Sequence, residues 1–369
     1  LAIIQANTPW RYLTGNTETG LGRTSPANPD LTYEKKHELN LGLDAGFLKN
    51  RVNFSVDWYK RNNYDLVGPI SSGGEDGFLS KFGNVAAMKS HGVELSLSTT
   101  NIQTKDFSWK TNFIYSYIHN EITELRTRNN MISLISGVGY ARQGYPSRAL
   151  FSVPFMGLTS DGLPTFRDQD GNISVTGVNF QESDPEKLNF LKYEGPTDPT
   201  NTGSLGNVFT YKGLTLNVFI TYSFGNVVRL YPAFRSRYSD LSATPKEFRN
   251  RWRQPGDEAH TNIPTIATYR QVFEDTYLLR AYNAYNYSDV RTAKGDFIRM
   301  KELSLNYDLP QKLIGHVGLR NASVKLQGTN LFLIYADKKL NGQDPEFFNT
   351  GGVAVPMAKQ FTLTLKVGL

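Results

Sequence analysis

The stretch Phe107–Tyr117, FSWKTNFIYSY, puts Phe107, Trp109, Thr111, Phe113, Tyr115 and Tyr117 on one side of an extended chain and Ser108, Lys110, Asn112 and Ser116 on the other. Successive side chains of a strand point to opposite faces, so this run reads as a β-strand with one apolar and one polar face. From Phe107 to Tyr117 the chain covers about 33 Å at roughly 3.3 Å per residue, or about 25 Å along a barrel axis at a tilt of about 40°. A strand of a soluble sandwich seldom runs so far. Aromatic residues mark both ends of the stripe.

The same alternation recurs outward from this run. Leu41, Leu43, Ala45 and Phe47 oppose Asn40, Gly42 and Asp44; Val52, Phe54, Val56 and Trp58 oppose Asn53, Ser55 and Asp57. Val93, Leu95 and Leu97 oppose Glu94, Ser96 and Ser98, and Leu214, Leu216, Val218 and Ile220 oppose Thr215, Asn217 and Thr221. Phe361, Leu363, Leu365, Val367 and Leu369 close the chain in the same manner. About eleven strands are expected, roughly 36–48, 50–66, 90–101, 106–119, 149–159, 163–168, 203–212, 214–226, 295–308, 320–334 and 357–369. Short turns near 48–51, 101–106, 160–162, 212–213 and 308–321 alternate with long polar connections near 67–90, 119–148, 169–202, 226–293 and 335–356. Long structureless loops are foreign to an ordinary compact domain. They are built into an outer-membrane β-barrel, with tight periplasmic turns and long extracellular loops. The fold class expected is therefore all-β, a transmembrane antiparallel barrel. An odd count whose first and last strands run the same way is half of a twenty-two-stranded wall, because bacterial barrels have even counts.

Composition agrees. The 369 residues are 39% hydrophobic, 12% aromatic and 20% charged, with 32 Gly and no Cys. Abundant apolar residues exclude a disordered chain, and the lack of cysteine excludes a disulfide framework and thiolate sites. The longest apolar runs, such as Leu331 to Tyr335, are about five residues, far short of the roughly 20 that a spanning helix needs. The formal charge of +6 is spread along the chain without a Lys/Arg block, so no nucleic-acid partner is expected. The chain begins at Leu1 without a signal peptide and reads as a processed or partial product.

Five blocks carry a family resemblance: Asn28–Asn53 (NPDLTYEKKHELNLGLDAGFLKNRVN), Asn84–Leu97 (NVAAMKSHGVELSL), Arg251–Pro264 (RWRQPGDEAHTNIP), Asp296–Pro310 (DFIRMKELSLNYDLP) and Gly328–Glu346 (GTNLFLIYADKKLNGQDPE). In order and spacing they resemble the C-terminal half of SusC/RagA-type TonB-dependent outer-membrane transporters. The resemblance implies a Gram-negative outer-membrane protein whose barrel holds an N-terminal plug. A SusD-like surface lipoprotein would cap it, and TonB would power import of a glycan or peptide through the plug. Residues 1–30 are then an extracellular loop segment, and 31–369 are the C-terminal half of the barrel. The plug, the TonB box and the rest of the same barrel would lie outside this chain. The family usually ends in an aromatic residue, whereas this chain ends at Leu369. A passive porin and a cell-surface carbohydrate-active enzyme are the rival readings.

No catalytic residue is assigned. His37, His91, His119, His260 and His316 show no metal-ligand spacing, and GxSxG, P-loop and GxGxxG sequences are absent. Asp168, Asp170 and Asn172 alternate like calcium ligands. They lack the distal Glu of an EF-hand, so a polar turn is the preferred reading, with calcium as the alternative and no other cofactor expected. Asp184 with Glu186 and Asp344 with Glu346, each flanking a proline, read as turn residues rather than acid/base pairs. Thr244-Pro245-Lys246-Glu247 predicts a short helix through Trp252. In the same long loop, Tyr277, Arg280, Tyr282, Tyr285 and Tyr287, with Trp252, are the candidate ligand contacts, since rings with polar tips stack on sugars and hold peptides. Trp58, Trp109, Tyr115, Tyr117 and Phe361 are assigned to the lipid face as interfacial aromatics.

Overall fold

Nine strands form one antiparallel sheet in which every neighbour in space is the neighbour in sequence: β1 Lys35–Phe47, β2 Val52–Ser71, β3 Ser80–Gln103, β4 Phe107–Leu125, β5 Asn201–Tyr211, β6 Leu214–Phe224, β7 Phe297–Asp308, β8 Asn321–Ala336 and β9 Gln360–Gly368. The computed structural model describes residues 3–7, 10–11, 16–17, 20–71, 74, 77–235, 244–347 and 357–368. Before the sheet, Ile3–Asn7 pairs with Gly20–Ser25 and Trp10–Arg11 with Asn16–Thr17, both antiparallel.

Register carries the face pattern of each strand to the next. One face is a continuous apolar surface running through Leu43, Val56, Leu95 and Tyr115, then through Leu205, Ile220 and Met300, and on to Leu326 and Leu363. The opposite face presents Asp44, Ser55, Ser96, Asn112, Thr210, Thr215, Ser304, Gln327 and Thr362. An apolar exterior band and a polar lumen are the two faces of a transmembrane barrel wall. Leu363, Phe361 and Leu365 are 73%, 73% and 66% exposed, which water would not tolerate over so large an area. No helix among the described residues is long and apolar enough to cross a membrane. The strands do the crossing.

The tight turns cluster at one end of the sheet. Lys212 and Gly213 both have positive φ, 45° and 84°, as a two-residue hairpin turn matched to strand twist requires. Close approach fixes Gly92, where an added Cβ would run into the Tyr59 hydroxyl.

Two of the eleven expected strands are not part of the wall. Residues 149–159 and 163–168 instead hold short pieces: Ala149–Ser152 pairs with Lys192–Pro196, and Phe155–Leu158 with Pro164–Arg167. Ala149–Ser152 is buried on both sides, so it has no lipid face to offer. These pieces belong to a module made by the β4–β5 connection, 126–200, and the described parts of the β6–β7 connection, 225–235 and 244–296. It has a conventional hydrophobic core that includes Met131, Phe151, Phe166, Phe234, Phe248 and Tyr285. The module is tied to the loop end of β4, where Ser147 N donates to Asn120 Oδ1 (2.8 Å) and Ile122 N to Tyr145 O (2.9 Å).

Candidate functional site

Within the β6–β7 connection, two helices meet at an open groove: α1, Tyr269–Glu274, and α2, Leu278–Asn286. Thr268 and Gln271 form a reciprocal capping box at the start of α1, with Gln271 N donating to Thr268 Oγ1 (3.3 Å) and Thr268 N to Gln271 Oε1 (2.9 Å). Such a box satisfies helix-end donors that would otherwise be orphaned. The second helix is amphipathic: Leu278, Ala281, Tyr282 and Tyr285 are buried at the i, i+3, i+4, i+7 spacing that puts them on one face, leaving Arg280 and Asn283 outward. Between the helices lies a groove of about 640 Å³ lined by Phe234, Ile266, Tyr269, Val272, Phe273, Leu279 and Tyr282, among others. A smaller depression of about 340 Å³ adjoins it, with Arg280, Asn283 and Asn286 in its lining. Tyr269 and Phe273 are 85% and 75% exposed, with their rings stacked at 6.4 Å. The result is an apolar trough with a basic and amide edge. It can take an apolar or ring-bearing group and hydrogen-bond the polar atoms beside it.

The six loop residues singled out from sequence divide between this groove and the core beneath it. Tyr282 lines the groove, and its hydroxyl donates to Thr265 O (2.9 Å). Arg280 lies over the exposed Tyr277 ring, 4.7 Å from its centroid, next to the groove. Tyr285 is 2% exposed, and burial raises its hydroxyl pKa. It packs edge-on against Phe155 and Phe234, while Tyr287 packs against Phe180. Trp252 covers the turn at Gly162 and donates from Nε1 to Glu258 Oε2 (3.0 Å). Trp252, Tyr285 and Tyr287 therefore hold the module together, Tyr277 and Arg280 border open space, and Tyr282, 6% exposed, is a core residue that also lines the groove floor. The helix expected through Trp252 is a 3₁₀ turn, Lys246–Asn250, without a side-chain cap from Thr244.

Sequence reading missed Tyr269, Val272 and Phe273. The T-x-x-Q pattern at Thr268–Gln271 was the signal available for their helix. It also missed Arg229, which no local pattern marks. Arg229 is buried and ties the two connections together through Nη1 to Ser288 O (2.8 Å) and Nη2 to Phe151 O (2.6 Å) and Ser152 Oγ (3.1 Å). Burial drives its pKa down to about 10, against the pull of Glu194. Burial in turn raises the Glu194 carboxyl, partly offset by Lys192.

Asp168 Oδ1 accepts from Asp170 N (3.0 Å) and Asn172 N (2.9 Å), and Asp170 pairs with Lys187 at 3.2 Å, the bonding of a polar turn. Among the described residues no three His, Asp or Glu side chains converge as a metal site. Asp184 accepts from Glu186 N (3.0 Å). Asp344 is clamped by Arg299, which also reaches Glu346 at 3.2 Å. Trp58, Trp109, Tyr115, Tyr117 and Phe361 all stand on the apolar face of the wall. Trp109 stacks on Phe209 at 5.6 Å, and the Tyr115 hydroxyl donates to Asn201 Oδ1 (2.7 Å).

A two-faced antiparallel wall, tight turns at one end and a folded loop module at the other define the class: an outer-membrane β-barrel protein, present here as part of its wall. Residues 4–231 match the family described as TonB dependent receptor-like, beta-barrel, and the chain belongs to that family. TonB-dependent receptor P26 of Formosa agariphila is 27% identical over 381 residues, 95% of this chain and 34% of that protein. TonB-dependent receptor SusC of Bacteroides thetaiotaomicron is 33% identical over 116 residues, 31% of this chain and 12% of that protein. Among solved structures, the RagAB peptide transporter superposes with a TM-score of 0.75 at 26% identity, covering 100% of this chain and 38% of that one. The chain is thus of SusC/RagA type and an outer-membrane protein of a Gram-negative bacterium. It spans about a third of the length of the longer-matching curated relatives.

Proposed function

We propose that the protein containing this chain actively imports a large solute, a glycan or a peptide, across the outer membrane. TonB drives the step through a plug, and a SusD-like lipoprotein works above the barrel. The observation that carries this reading is the folded loop module with an aromatic groove on its surface. A passive pore has no need of an independent core of this size in its loops. The polar wall face surrounds the plug and the passing solute. Tyr277, Arg280 and Tyr282, with Tyr269 and Phe273, form the part of the solute chamber that this chain supplies. The superposed RagAB neighbour is a peptide transporter, which supports the peptide branch; rings with polar tips suit sugars equally.

The test is uptake of labelled oligopeptides and oligosaccharides by cells making the intact protein, with and without TonB. Accumulation that depends on TonB is the expected result. Equal flux without TonB would convert the reading to a passive porin, and turnover of a glycan by the purified protein would convert it to an enzyme.

A further inference from the structure

A cationic depression of about 360 Å³ lies where the β6–β7 connection meets the β8–β9 connection. Arg235, Lys246 and Arg291 come from the first connection and Lys339 from the second, against Glu247 as the one acid in the described lining. Glu247 is already taken: Arg291 donates to its Oε1 from Nη1 (2.6 Å), and the other arm of Arg291 donates to Tyr231 O (2.7 Å). Lys246 and Lys339 are exposed, and neither has an ion-pair partner among the described residues. Lys339 Nζ reaches Thr292 O at 3.2 Å, a backbone contact that leaves its charge unopposed. The wall around these cations is well anchored. Leu340 is buried with Val228, Leu230 and Ala293, Asp337 Oδ1 accepts from Lys339 N (2.9 Å), and Asn341 and Gly342 turn the chain at φ 52° and 86°.

Arg235 also lines the aromatic groove and the depression beside Arg280, so the three hollows meet at one residue. A cleft lined by one sign of charge focuses its potential on what enters it, and an anionic group there takes charge-assisted hydrogen bonds, which are about twice as strong as neutral ones. Beside the cations stand Thr244, Asn341 and Gln343, a hydroxyl and two amides able to bond sugar hydroxyls, and Tyr231, 44% exposed, whose ring can pack on a sugar face. We propose that this depression binds an acidic sugar residue, a uronate or a sulfate ester, of an oligosaccharide whose next rings lie along the groove of Tyr269 and Phe273. An acidic peptide could meet the cations, but the amide and hydroxyl donors around them match a ring with several hydroxyls better than one side-chain carboxylate. The inference rests on the import reading above and narrows its solute to an anionic glycan.

The experiment measures binding alone, by titration calorimetry on the intact barrel protein in detergent, so its outcome does not depend on TonB. The probes are oligoglucuronate, oligogalacturonate and sulfated oligogalactan, each beside its carboxyl-reduced or desulfated form, and tetraglutamate beside tetraglutamine. At least one acidic saccharide should bind about tenfold more tightly than its neutral form, the scale of one charge-assisted hydrogen bond. The combined variant R235Q/K246Q/K339Q should lose that preference. Lys312→Gln, exposed in the tight turn after β7, should keep it. Heat-modifiable gel mobility verifies that each variant is a folded barrel. Preference for none of the acidic saccharides, preference for tetraglutamate alone, a folded triple variant that still discriminates, or an equal loss in Lys312→Gln would each overturn the proposal. TonB-dependent uptake of a neutral solute alongside any of these results would leave the import reading standing.

Discussion

Arg229, from the β6–β7 connection, donates from Nη2 to the backbone carbonyl of Phe151, from the β4–β5 connection, at 2.6 Å. The same guanidinium reaches Ser288 O and Ser152 Oγ, so one planar fork serves both connections. Removing it takes this donor from Phe151 O and Ser152 Oγ, while Ser288 O keeps Arg291 N (3.1 Å), and a lost buried charge-assisted network costs about 3–5 kcal/mol. Arg229→Ala should therefore speed amide exchange across 130–153 and 278–292 while β1–β4 stay protected. Arg229→Lys, which keeps the charge and loses the fork, should lie between the two. Unchanged exchange in the alanine variant would show that the module is held by its apolar core alone.

The carboxyl of Glu194 is pushed up by burial, and Lys192 offsets this only in part. A carboxyl that holds its proton more tightly folded than unfolded supports stability below its unfolded value of 4.5. That support is lost as pH rises through the higher folded pKa. Glu194→Gln should match wild type at pH 4 and exceed it at pH 7 in resistance of the module to proteolysis. Equal resistance of the two proteins at pH 7 would remove the effect.

Gly162 has φ +76°, and the Trp252 indole sits where its Cβ would be. Gly162→Ala adds about 1–2 kcal/mol of left-handed backbone cost to that clash. Proteolysis within 246–266 should become faster, since Trp252 must leave the turn. Gly171→Ala, also at positive φ but with nothing within 4 Å, should show the backbone cost alone.

Phe113 stands mid-stripe on the apolar face between Leu97 and Leu205. An Arg on a lipid face near the midplane costs about 2–4 kcal/mol, while lumen positions accept charge. Phe113→Arg should lower the yield of heat-modifiable barrel, and Asn112→Arg should leave it nearly unchanged. The reverse order would mean that the two faces are exchanged.

Tyr285→Ala and Tyr277→Ala separate packing from contact. Tyr285 is part of the module core and Tyr277 is 55% exposed. Truncating a buried aromatic costs about 3–5 kcal/mol, and truncating an exposed one very little. Tyr285→Ala should destabilise the module, whereas Tyr277→Ala should leave exchange unchanged and reduce uptake. A Tyr277→Ala protein with normal uptake of every solute carried by wild type would take this residue out of the chamber.

The barrel wall was legible because a period of two is local: Phe107 to Tyr117 or Phe361 to Leu369 shows its two faces without reference to any other strand. The tight turns and family blocks gave order, class and cellular location. The module was not legible for a matching reason. Its core joins Phe151, Phe234 and Tyr285, residues far apart in sequence, each within a segment too short to display a period. Four-residue pieces such as Ala149–Ser152 therefore read as wall strands, and core tyrosines read as ligand contacts. Local alternation decided that this chain is a membrane wall. Burial created by two connections folding against each other decided which of its loop aromatics are structural and which remain open to a solute.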